Sequence, residues 1–216
     1  TYATRYKRWA DAIRAYDSTA KLVAGNHLNF DLTCGGCGGI TTGRFWAQEF
    51  LAAYQTQFSA APVIDAWGIQ VYYIDWTNLP MVNWQSLRAD ITELRSFLNT
   101  QSLSTKPLWV TNTTVVWGYP GLTSGANTCV NATQCVAPTG TYAQSAVDAF
   151  LNDLLGWFST NAGTLNIERW FVSSAFASTE AYATVPAGLW LMNGATTTSN
   201  VTTTGATFRT LAQPST

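Results

Sequence analysis

The groups best suited to chemistry in this chain are four thiols, one imidazole and twelve carboxylates. Their spacing limits what each can do. Cys34 and Cys37 sit in the run CGGCGG, and Cys129 and Cys135 bracket VNATQ. Two local pairs suit either two disulfides or one four-thiolate metal site. The loop-like context and the polar, weakly charged chain favour disulfides. A redox Cys-X-X-Cys motif opens a helix after a strand, where the helix dipole lowers a thiol pKa. Cys34 and Cys37 lie in a glycine run instead. His27 has no Ser or Cys nucleophile to complete a triad with it. It reads as a hydrogen-bonded structural histidine, with a place beside Asn26 at the mouth of a site as the alternative. The acids nearest to expected strand ends are Asp31, Asp75 and Glu168. Glu168 opens its strand and reads as the ion-pair partner of a nearby arginine. Asp75 lies between Tyr73 and Trp76, and is either a ligand contact or a loop-capping aspartate.

Composition narrows the classes. The chain has 216 residues, 47% hydrophobic and only 11% charged, with a formal net charge of −1. That length suits one domain spanning 1–216 with a sizeable core. A nucleic-acid partner would want a basic patch, which is absent. No apolar run is long enough to span a membrane. The abundance of Ser, Thr and Asn points to an extracellular or cell-surface protein. No cofactor and no metal are expected. A chain starting at Thr1 reads as a mature or truncated product.

The elements that must position these residues follow from periodicity. Tyr2, Tyr6, Trp9, Ile13 and Tyr16 recur at helical spacing, so 3–17 is expected as an amphipathic helix. Strands are expected at 21–25, 63–73, 107–117 and 167–176. Thr42 is a candidate N-cap for a helix with the stripe Phe45, Trp46, Phe50, Leu51, Tyr54 and Phe58. Further helices are expected over 84–99, around Val147–Phe158 and near 204–212. The segment 118–140 reads as a loop, and 194–204 as a Thr-rich tail. Alternating helices and apolar strands define an α/β fold with a parallel sheet. Asn26, His27, Tyr72–Trp76, Asn112–Trp117 and Ser173–Phe176 gather at strand ends, where α/β barrels build their sites.

The pieces LNFDLTCGGCGG, VIDAWGIQVYYIDWTNLP, KPLWVTNTTVVWGYPG and ERWFVSSAF give the chain a family resemblance. It resembles the C-terminal half of a (β/α)8 TIM-barrel glycoside hydrolase of the large retaining superfamily. The third piece is the most specific. In that family the run reads approximately W-[IV]-T-E-F/Y-G, and its Glu is the nucleophile. Asn112 occupies that place here, followed by Thr113 and Thr114. The family's acid/base residue lies in an Asn-Glu pair, and no Asn-Glu dipeptide occurs in this chain. The resemblance implies that the chain covers about the last four β/α units and is incomplete at its N-terminus. The other four would come from another chain, a longer polypeptide or a second copy.

Retaining cleavage needs a nucleophile and a proton donor, both carboxylates. An amide at 112 supplies neither. The first expectation is therefore a degenerate hydrolase fold that binds carbohydrate or serves extracellular structure. A second is an active retaining glycosidase whose acid/base half lies outside this chain. A third is a self-assembling filament or surface-layer subunit, because a half-barrel leaves sheet edges open. Tyr72, Tyr73, Asp75, Trp76, Trp117, His27 and Asn26 are the candidate sugar contacts. Aromatic rings suit sugar faces, although most of 10 Trp and 9 Tyr must be core. Asn112, Asn131 and Asn200 fit the glycosylation sequon, with Asn131 and Asn200 in expected loops.

Overall fold

A computed structural model describes residues 1–33, 42–74, 82–113, 122–124, 127–129, 135–136, 144–172, 201 and 203–212. Helix α1 (Tyr2–Tyr16) starts at Thr1, whose hydroxyl accepts from the Thr4 amide. Strand β1 (Val23–Leu28) follows. Helix α2 (Gly43–Phe58) is capped by Thr42, which accepts from the Phe45 amide at 3.3 Å. It ends at Ser59 in the left-handed region. Strand β2 (Ala66–Val71) leads to helix α3 (Trp84–Thr100), where Asn83 caps by accepting from the Ser86 amide at 3.0 Å. Strand β3 (Leu108–Thr113) is followed by three short strands, β4 (Leu122–Ser124), β5 (Asn127–Cys129) and β6 (Cys135–Val136). Helix α4 (Gln144–Leu165), strand β7 (Ile167–Val172) and helix α5 (Thr203–Leu211) complete the order.

The chain is therefore α/β. Its main sheet runs β1-β2-β3-β7, parallel throughout, with neighbours in the sheet in the order of the chain. The helices and one face of this sheet share a single apolar core. Ala24, Trp67, Ile69, Val71, Leu108, Val110 and Ile167 meet Phe50, Tyr54, Leu87, Ile91, Leu94, Leu98, Leu154 and Phe158 there. Trp67, Ile69 and Leu108 are fully buried in it. Burying a side chain of this size contributes roughly 1.5–3 kcal/mol. The opposite face carries Gly68, Gln70, Thr111, Asn112, Glu168 and Arg169, none of which belongs to that core. Among the described residues no helix lies on it.

Two departures from the sequence reading have clear causes. β1 continues through Asn26 and His27, which were expected just after the strand. A bulge between Gly25 and His27 absorbs the turn-like residues and lets pairing with β2 go on. The expected loop 118–140 contains the antiparallel sheet β4-β5-β6, whose strands are too short to show alternation. The four main strands are otherwise where expected, with shorter bounds. Positions 114–117 and 173–176 of the expected strands lie outside the described residues.

Arg95 joins α3 to the start of β3. Its guanidinium donates to the Lys106 and Leu103 carbonyls at 2.8 and 2.9 Å, and to Asn99 Oδ1 at 3.1 Å. The fork ties the last turns of α3 to the turn that leads into β3, where the Leu103 carbonyl also accepts the Lys106 amide at 3.0 Å. Burial holds its pKa below the ordinary arginine value.

Candidate functional site

Three of the main strands carry an extra residue relative to a neighbour, and all three put polar atoms on the uncovered face. Gly25 pairs with Gly68 and His27 with Ile69, so Asn26 is the extra residue of β1. Ile69 pairs with Val110 and Gln70 with Asn112, so Thr111 is the extra residue of β3. Leu108 pairs with Ile167 and Trp109 with Arg169, so Glu168 is the extra residue of β7. Bulges of this kind re-aim side chains, and they concentrate near sites.

The three residues hydrogen bond on that face. The Thr111 hydroxyl donates to Asn26 Oδ1 and also lies 3.1 Å from the Ile69 carbonyl. It reaches Asn26 across β2 because Gly68 stands between them. A Cβ at Gly68 would lie 3.3 Å from Thr111 Cγ2 and 3.4 Å from Asn26 Cβ. Asn26 holds a φ of 57°, a left-handed conformation that asparagine tolerates. At the other end of the strands, Trp109 Nε1 donates to Glu168 Oε2 at 2.7 Å. The Arg169 guanidinium lies over the Trp109 ring at 5.1 Å. The expected arginine ion pair of Glu168 is thus replaced by a bond to an indole. The bulge sets Glu168 opposite no residue of β3 and brings it beside Trp109.

The loop after β1 is held from three sides. Asn29, with φ 52°, donates its amide nitrogen to the Tyr72 carbonyl at 2.7 Å, and its Oδ1 accepts from the Tyr72 amide at 2.8 Å. One side chain thereby extends the sheet ladder by a residue. Asp90 projects from α3, 3% exposed, and accepts the amides of Phe30, Asp31 and Leu32 at 2.6–2.7 Å. Burial raises its pKa, and the three amide bonds pull it back. Asp31, whose backbone sits in that cradle, forms a bidentate pair with Arg44. The Arg44 guanidinium also lies 4.5 Å from the Phe30 ring centre.

His27 points to the core side of β1. Its Nε2 accepts from Trp67 Nε1 at 3.2 Å, and its Nδ1 donates to the Asn29 carbonyl at 2.6 Å. Both ring nitrogens are used, which fixes the tautomer with its proton on Nδ1. Burial lowers its pKa, with the Asn29 bond acting weakly the other way.

The expected contacts therefore divide. Asn26 and Asn112 lie on the uncovered face near the C-terminal ends of β1 and β3, with Gln70 as the register partner of Asn112. Tyr72 follows β2, half-buried, and burial raises its phenol pKa. Tyr73 packs against the core, and His27 is engaged within it. Asp75, Trp76, Trp117, Cys34, Cys37, Asn131 and Asn200 lie outside the described residues. Cys129 and Cys135 fall in β5 and β6. Sequence reading missed Thr111, Gln70, Trp109 and Asp90. A Thr or Gln inside a strand carries no signal of its own, and the bulges that expose these residues depend on pairing with a neighbour.

The face that results offers amide and hydroxyl groups from Asn26, Gln70, Thr111 and Asn112, bordered by the exposed side chains of Leu28 and Phe171. Such groups can hydrogen bond to a neutral polyol. None of the four is a carboxylate, the group that retaining cleavage uses as nucleophile and as proton donor. Among the described residues, no three His, Cys, Asp or Glu side chains gather where they could hold a metal ion. No described helix is long and apolar enough to cross a membrane. No protein-family model matches the chain, and no curated protein matches it.

Proposed function

We propose that this chain is the second half of a (β/α)8 barrel related to retaining glycoside hydrolases, and that it holds carbohydrate outside the cell without cleaving it. One observation carries the reading. Among the described residues, four parallel strands follow one another in chain order with helices packed on one face. A doubly wound sheet reverses its strand order and takes helices on both faces. A barrel wall does neither.

Among the described residues, the placement of the carboxylates supports binding over catalysis. Retaining cleavage needs two carboxylates about 5–5.5 Å apart. Asn112 stands where the resemblance puts the nucleophile. Asp31 is paired with Arg44, and Asp90 is buried against backbone amides. Glu168 lies near the start of β7, at the opposite end of the sheet from Asn112. The amide and hydroxyl row from Asn26 to Asn112 suits the hydroxyls of a neutral sugar.

A glycan panel tests this directly, with binding and sugar release read on the same purified chain. The expected result is binding of at least one neutral glycan, weakened by Asn26→Ala, with no sugar released. Release of sugar would return the protein to the active glycosidases, with the acid/base half supplied from outside the chain. Failure to bind any glycan would also sink the reading. A third reading, self-assembly, rests on helix α1, where Trp9 is 68% and Tyr16 96% exposed. A monodisperse monomer in light scattering would count against it and against a second copy completing the barrel.

A further inference from the structure

We propose that Cys129 and Cys135 form a disulfide with each other, clipping β5 to β6, and do not join Cys34 and Cys37 in a metal site. The backbone register carries the inference. β5 and β6 run antiparallel, and Cys129 is the direct partner of Cys135, with Thr128 opposite Val136. Residues directly opposite in an antiparallel pair share a face, and their Cα atoms stand about 4.5–5.5 Å apart. A disulfide asks for Cα atoms about 4.4–6.8 Å apart. Both kinds of antiparallel pair fall inside that window, so the backbone register permits the bond.

The spacing argues against the metal alternative. Four-thiolate zinc sites take their ligands from tight pairs with about two to four residues between the cysteines. Cys129 and Cys135 have five between them, and the hairpin commits both to one ladder position. β5 also pairs with β4, where Leu122 lies opposite Cys129, so the clip ties the third strand to a sheet already formed on its other side. The bond forms by thiol–disulfide exchange. One thiolate attacks an external disulfide such as oxidised glutathione and releases one of its thiols. The second thiolate then displaces the other. The two cysteines lose two protons and two electrons in total, and the external disulfide leaves as two thiols.

The distribution of basic residues makes the test simple. No Lys or Arg lies between Lys106 and Arg169, and none between Lys21 and Arg44. Trypsin therefore leaves Cys129 and Cys135 in one peptide, and Cys34 and Cys37 in another. The full chain is equilibrated in a glutathione redox buffer, alkylated without reductant, denatured and digested. The expected result is that the peptide ending at Arg169 carries no alkyl group and is two hydrogen atoms lighter than its reduced form. In Cys129→Ser, Cys135 should carry one alkyl group or one glutathione, while the Cys34 and Cys37 peptide is unchanged. Alkylation of both Cys129 and Cys135 in the wild type would overturn the proposal. So would a cross-link joining the two tryptic peptides, or one zinc ion per chain released together with four thiols. The wild-type map is read on denatured peptides, so it stands even if the variant fails to fold.

Discussion

The indole N–H of Trp67 donates to Nε2 of His27, and that bond joins two neighbouring strands on the core side of the sheet. Gly25 makes it possible. With φ +80°, it lacks the Cβ that would lie 2.5 Å from Trp67 Nε1. His27 then passes the constraint on through Nδ1 to Asn29, which holds Tyr72.

Because His27 is the only histidine, its titration can be read without ambiguity. Burial lowers its pKa below the ordinary value of about 6.5. Just under that pH the unfolded chain binds more protons than the native protein. Stability from this group is therefore full above about pH 6.5 and falls as the pH drops toward the native pKa. The imidazole Cε1–H resonance in NMR should titrate at a lower pH than a free histidine. His27→Ala leaves the Trp67 N–H buried without its acceptor and should cost about 1–3 kcal/mol in denaturant unfolding.

Gly43 and Gly156 make a matched pair of probes. A Cβ at Gly43 would collide with the Asn29 carbonyl and His27 Nδ1, whereas one at Gly156 meets nothing within 4 Å. Gly43→Ala should destabilise by about 2–3 kcal/mol by forcing the β1 loop off α2. Gly156→Ala, inside helix α4, should stabilise by roughly 0.5–1 kcal/mol. Thermal melts of the two variants should move in opposite directions.

Asp90 holds three consecutive amides, and its amide analogue cannot. In Asp90→Asn one oxygen becomes a donor facing N–H groups, which should cost about 2–3 kcal/mol. Hydrogen exchange localises the effect. The amides of Phe30, Asp31 and Leu32 should exchange faster, while those of β3 keep their protection.

Thr111→Val separates binding from folding. The change keeps the shape and removes the hydroxyl that Asn26 accepts from. Stability should fall by about 1 kcal/mol or less. If the proposed glycan binding holds, affinity for the glycan should fall roughly tenfold, since a lost hydrogen bond of about 1.4 kcal/mol corresponds to that factor. Equal loss in calorimetry and in melts would mean the residue acts only in the fold.

The sequence alone determined the alternation of helices and strands, the Thr42 cap and the apolar stripes. Those are local: periods of two and 3.6 residues show on the chain itself. It also placed Asn112 and Asn26 near strand ends. Tertiary structure decided which face each residue serves. The bulges at Asn26, Thr111 and Glu168 arise only when β1, β3 and β7 pair with their neighbours, and a one-residue offset reverses the face of everything beyond it. Glu168 came to Trp109 instead of an arginine for that reason. His27 and Asn26 are adjacent in sequence, yet His27 is fixed in the core while Asn26 lies on the uncovered face. Asp90 is 58–60 residues from the amides it binds, a separation that no local pattern encodes.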